Sequence, residues 1–126
     1  MKIINTKLHG ILDYSIMLAL TIPWLVNYYT KSGDTWVFAA LGGLIGLYSL
    51  TTDYEFGLLK LLPMKVHLFF DVFIAIFLII TPWFFQIDHY YFYWPVFLGA
   101  SILLVAIFSS SKSYIITKND LDITKP

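Results

Sequence analysis

The chain has no cysteine and no arginine, and only 13% of its 126 residues are charged. The missing cysteine excludes disulfides, thiolate metal ligands and thiol catalysis, and is silent on compartment. Eight lysines balance eight acids, which leaves no basic face for nucleic acid. Soluble domains carry about a quarter charged residues, roughly twice the share found here. Phosphate loops of the GxGxxG or P-loop kind are absent, as is HExxH, and no Ser-His-Asp order can be placed at one membrane depth.

What the chain has instead is hydrocarbon: 59% hydrophobic and 19% aromatic residues, with a mean hydropathy of +0.75. A single soluble core of this size could not bury so many large apolar side chains, so the expected solvent is lipid. Crossing a bilayer takes roughly 20 mostly apolar residues. Four runs fit, over about 8–28, 35–50 (reaching adequate length through Thr52), 66–85 and 92–108. Their continuity favours helices over barrel strands, which alternate. The expected fold is an all-α membrane protein, one domain over 1–126, with four transmembrane helices forming two hairpins. The opening MKIINTKLHGILDYS lacks a small-residue cleavage site, and His9 and Asp13 interrupt its apolar run, so it reads as a retained first helix.

Loop charge sets an orientation. Lys2, Lys7, Lys60, Lys65, Lys112, Lys118 and Lys125 fall on one side, and Lys31 alone on the other, which predicts cytoplasmic N and C termini. Trp24, Trp36, Trp83 and Trp94, with Tyr28, Tyr29, Tyr90, Tyr91 and Tyr93, mark the opposite boundary as an interfacial belt. Pro23 and Pro82 kink or end their helices there. In AALGGLIG, Gly42 and Gly46 make a small-xxx-small face beside Ala39 and Gly43, suited to packing inside the bundle or to a homo-oligomer.

The chain also repeats. KLHGILDYSIMLALTIPWL from Lys7 aligns with KVHLFFDVFIAIFLIITPWF from Lys65, and WVFAALG from Trp36 with WPVFLG from Trp94. The unit is a helical hairpin of roughly 60 residues used twice, about 1–60 and 61–126. Both copies start on the same side, so the repeats are parallel, about an axis along the membrane normal. His9 and Asp13, like His67 and Asp71, stand at i and i+4 and share a helix face. The axis should bring His9 to Asp71 and His67 to Asp13. Asp53 and Glu55 leave the second helix at the same depth, whereas His89 beside Asp88 reads as a solvated outer-loop residue. The copies differ at one edge: the first ends SLTTDYE, the second FSSSKSY without carboxylates.

These residues carry a resemblance. Thr52 to Gly57 (TDYEFG), Pro63 to Asp71 (PMKVHLFFD) and His9 to Tyr14 (HGILDY) are similar to the SPW-repeat membrane proteins of bacteria, over nearly all of the chain. The resemblance implies a multi-pass, four-helix protein of the bacterial inner membrane and supplies no established activity. The chain departs from the name motif, with Ile22-Pro23-Trp24 and Thr81-Pro82-Trp83 where the family has Ser-Pro-Trp, so that serine hydroxyl is not required here.

Three roles fit the cluster of His9, Asp13, Asp53, Glu55, His67 and Asp71. The first is structural: a carboxylate–imidazole clamp tying the two hairpins, since polar groups in a bilayer pair with each other. The second is a divalent metal site built on His9, Asp13, His67 and Asp71. Nitrogen and oxygen donors without thiolate suit zinc, manganese or iron rather than copper(I). The third is proton sensing or small-ion transport, since histidine titrates near neutrality. No ionisable residues continue through the outer halves of the first and third helices, so a complete path is not evident. A non-enzyme with a structural or ligand-binding cluster is the expectation.

Overall fold

The computed structural model describes residues 3–30, 36–87 and 92–111, without the side chains of 27–30. Lys2, Lys31, Lys112, Lys118, Lys125, Asp88, His89, Tyr90 and Tyr91 lie outside the described residues, as do the side chains of Tyr28 and Tyr29. Four helices follow one another: α1 (Thr6–Thr30), α2 (Trp36–Thr51), α3 (Met64–Phe84) and α4 (Tyr93–Phe108). Among the described residues there is no β-strand, only two isolated bridges, Ile4 with Ser109 and Thr52 with Leu62. Helices α1 and α3 are each long and apolar enough to cross a membrane, while α2 and α4 are shorter apolar helices of 16 residues. Of the apolar windows, 22% in α1 and 39% in α3 are fully buried inside the protein, and the rest is half-buried or exposed.

Helix α1 packs along α2 and α3 along α4, whereas α1 with α4 and α2 with α3 touch sparsely. Small residues explain the tight pairs. A Cβ on Gly99 would sit 2.7 Å from the Ala75 carbonyl oxygen, and one on Gly42 would sit 2.8 Å from Thr21 Oγ1 and 3.0 Å from Met17 O. Gly42 and Gly46 therefore face α1, with Met17 Sδ 2.5 Å from a Cβ placed at Gly46, while Gly43 meets open space. Between the hairpins lies a core that includes Ile16, Leu20, Phe38, Ile45, Ile74, Leu78 and Ile102.

The prolines act locally. Pro23 has no N–H, so the Ala19 carbonyl one turn earlier loses its helical donor. Trp94 Nε1 of α4 donates to that oxygen at 3.2 Å, a tie from one hairpin to the other. Pro63 caps the start of α3 in an extended conformation (φ −61°, ψ 144°). At the other end Gln86 takes φ 50°, and the Ile87 N–H reaches back to Pro82 O at 3.0 Å, closing the last turn as a left-handed residue commonly does.

A buried four-residue cluster between the hairpins

His9 and Asp13 project from the first turns of α1, and His67 and Asp71 from the first turns of α3, each pair one helical turn apart. All four are buried, none more than 3% exposed. The imidazoles meet edge to face, with Nε2 to Nε2 at 3.1 Å. Across the hairpins, His67 Nε2 lies 2.8 Å from Asp13 Oδ2 and His9 Nε2 lies 3.0 Å from Asp71 Oδ2. Within each helix the corresponding separations are 3.3 and 3.4 Å. Two nitrogens and two oxygens thus converge on one point.

The outer ring nitrogens fix what those inner atoms are. Ser109 Oγ, just past α4, donates its single proton to Val105 O at 2.6 Å, so at 2.6 Å it accepts from His9 Nδ1. Thr52 Oγ1, just past α2, donates to Tyr48 O at 2.6 Å and accepts from His67 Nδ1 at 2.8 Å. Both imidazoles therefore carry their proton on Nδ1. In its neutral form each turns a lone pair at Nε2 toward the other ring and toward carboxylate oxygens. Four lone-pair atoms facing one another repel unless positive charge sits among them.

Protons on the two Nε2 atoms satisfy this set only in part. His67 Nε2 makes a directed hydrogen bond to Asp13 Oδ2. Asp71 Oδ2 accepts no hydrogen bond, although His9 Nε2 is 3.0 Å away, because the imidazole nitrogen does not aim its N–H at that oxygen. A buried carboxylate oxygen without a donor is costly. The other carboxylate contacts come from α2: Tyr48 donates to Asp71 Oδ1 at 2.5 Å and Ser49 to Asp13 Oδ2 at 3.2 Å. The Tyr48 ring also stands edge-on to His67, centroids 4.8 Å apart.

The loop after α2 roofs the cluster. Tyr54 is fully buried, its ring 5.9 Å from that of His67 and packed so closely on Gly10 that a Cβ there would lie 2.3 Å from Tyr54 Cε2. Burial pushes the Tyr54 phenol above its ordinary pKa, so it stays neutral. The two acids expected at this depth do not join the four. Glu55 accepts a hydrogen bond from Thr6 Oγ1 at 2.6 Å, at the start of α1. Asp53 is more than half exposed, 4.0 Å from Lys60 Nζ. The loop turns back at Gly57, where even a Cβ would meet Thr52 O at 1.7 Å, and this carries both acids to the rim.

Sequence reasoning missed three hydroxyls: Ser49, Thr52 and Ser109. The runs SLTT and SSS at the helix ends were the available signal, read there as a point where the copies diverge. Thr52 and Ser109 hold the Nδ1 atoms of the two histidines in the same way. No family model, curated protein or solved structure matches the chain.

Proposed function

We propose that this chain is a four-span membrane protein whose two hairpins are joined by one divalent metal ion held by His9, Asp13, His67 and Asp71. One observation carries the reading: four buried lone-pair atoms converge, and one of them, Asp71 Oδ2, has no hydrogen-bond donor. Metal–nitrogen and metal–oxygen bonds near 2.0–2.2 Å would place tetrahedral donors about 3.3–3.5 Å apart. The His–Asp and His–His separations run from 2.8 to 3.4 Å, close to that edge. A divalent ion with two carboxylates and two neutral imidazoles is also neutral overall, which suits a low-dielectric site. Outer-ring hydroxyls that fix the tautomer are the usual support of histidine ligands. Zinc fits a four-donor closed set best, with iron and manganese as the other members of its class. The four donors come from the protein, which leaves no position for a substrate, so the role is to bind and to join rather than to catalyse.

The membrane reading rests on the outward-facing apolar side chains, such as Phe69, Phe73 and Phe97, and on Trp36 and Trp83 exposed at the end opposite the cluster. Helices α2 and α4 rise about 24 Å each, so they span with the help of flanking loop residues. Cytoplasmic termini follow from the lysine distribution. A bacterial inner-membrane location and a place in the SPW-repeat family follow from the motifs. The duplication is supported by the matching roles of His9 and His67, Asp13 and Asp71, Ser109 and Thr52. A homo-oligomer through α2 would use Gly43 and its outward neighbours, because Gly42 and Gly46 face α1.

Elemental analysis of detergent-purified protein, beside His9→Ala and His67→Ala, tests the metal. Near-stoichiometric metal in the parent and none in either variant is expected, with added zinc raising only the parent's unfolding temperature. A parent that stays metal-free after incubation with zinc, iron and manganese sinks the reading and leaves a proton-held clamp. That clamp is favoured in its own right by the directed bond from His67 to Asp13.

A further inference from the structure

The loop between α2 and α3 carries a surface that the buried cluster does not use. Leu58, Leu59 and Leu61 are 76%, 62% and 76% exposed, side by side in a chain segment that is not helical. Three neighbouring leucines open to water would be an unusual choice for a loop. Irregular backbone is normally kept away from hydrocarbon because its N–H groups lack partners. Here they have them. The N–H groups of Leu58 and Leu59 both reach Leu50 O, at 2.7 and 3.1 Å, and those of Leu61 and Leu62 both reach Thr51 O at 2.8 Å. These are the carbonyls that the end of α2 leaves without helical donors. Lys60, at φ 50°, turns the chain between the leucines and anchors it through Nζ to Tyr54 O at 2.7 Å. The loop is thus a scaffold in which the N–H groups of Leu58, Leu59, Leu61 and Leu62 are satisfied while Leu58, Leu59 and Leu61 point outward.

Lysines stand at the two helix starts on this side of the protein. Lys7 and Lys65 are exposed at the starts of α1 and α3, and neither forms an ion pair with a described residue. The acids on this rim are engaged, Asp53 beside Lys60 and Glu55 with Thr6. The geometry points to an interfacial anchor: Leu58, Leu59 and Leu61 insert into the leaflet at the cluster end, and Lys7 and Lys65 hold anionic phospholipid headgroups around them. Leucine beside lysine is the chemistry of segments that lie in such an interface. The inference rests on the membrane-spanning reading but not on the metal.

The absence of cysteine makes the test clean. Leu59→Cys and, as a control, Asp53→Cys are each labelled with a nitroxide. Each is reconstituted into vesicles of phosphatidylcholine, with and without phosphatidylglycerol. The label at 59 is expected to collide more with oxygen than with a water-soluble nickel chelate, and the label at 53 the reverse. Phosphatidylglycerol should deepen insertion at 59, and in Lys7→Gln and Lys65→Gln backgrounds the lipid concentration giving half the effect should rise about fivefold per lysine. A label at 59 that meets nickel freely, or one shielded from both reagents by protein, overturns the anchor. Insertion indifferent to phosphatidylglycerol overturns the anionic assignment. Protein that fails to float with the vesicles refutes the spanning reading itself, whereas floating protein with residue 59 in water refutes the anchor alone.

Discussion

The two hairpins meet at the cluster with equal inner contributions and unequal support. Each brings one histidine, one aspartate and one hydroxyl that fixes a ring nitrogen, Thr52 after α2 and Ser109 after α4. Among the described residues, only α2 adds hydroxyl donors to the carboxylates, through Tyr48 to Asp71 and Ser49 to Asp13. The positions that stand to Ser109 as Tyr48 and Ser49 stand to Thr52 are Val105 and Ala106, which have no polar atom to offer. The difference teaches which contacts the joint requires from both sides and which one side can supply for both. Ring orientation has to be set twice, because each imidazole is a separate body. Carboxylate support can come from one helix, because Tyr48 and Ser49 of α2 reach one carboxylate on α3 and one on α1.

That comparison can be broken experimentally. If the outer hydroxyls support the proposed metal site equally, Thr52→Val and Ser109→Ala should weaken zinc binding alike, by about 10–100-fold, in competition titrations with a chelator. Unequal losses would show that the two histidines are not equivalent ligands. The next effect is in packing. Gly99→Ala should lower stability by about 2 kcal/mol in thermal unfolding, because its Cβ meets the Ala75 backbone, which cannot rotate away. Gly42→Ala should cost less, since the nearest atom there is the Thr21 hydroxyl, which can turn. Equal costs would mean that both hairpins are equally rigid at their crossing.

Smaller is the loss in Tyr48→Phe, about tenfold in metal affinity, since it removes one donor from Asp71 Oδ1 and keeps the ring against His67. The smallest effect belongs to Trp94→Phe, which removes a partly exposed bond to Ala19 O and should cost about 0.5 kcal/mol by the same melting measurement.

Much of this was legible from residue order. Apolar runs separated by lysine-bearing or aromatic-bearing loops placed all four helices within about two residues of their observed ends. The i, i+4 spacing put each histidine over its aspartate, and the recurrence of that spacing put the two pairs on matching helices. That Asp53 and Glu55 stand at the rim and not among the four was not legible, because position in sequence says how near a residue starts, not which way the chain turns. The close approach of Gly57 to Thr52 O redirects the loop, and no local pattern announces it. Pro23 was visible as a missing donor, but that its freed carbonyl would be met by Trp94, 75 positions away, depended on how one hairpin lies on the other.

Residue order alone makes this chain helical and apolar, with two histidine–aspartate pairs at one end of it, because these follow from composition and from the 3.6-residue period of a helix. That four atoms face one another, that Thr52 and Ser109 fix the rings, and that Asp71 Oδ2 lacks a donor came from how the helices pack. Those facts are distances between helices, and a one-dimensional pattern carries the face of each helix but not the angle and depth at which two faces meet.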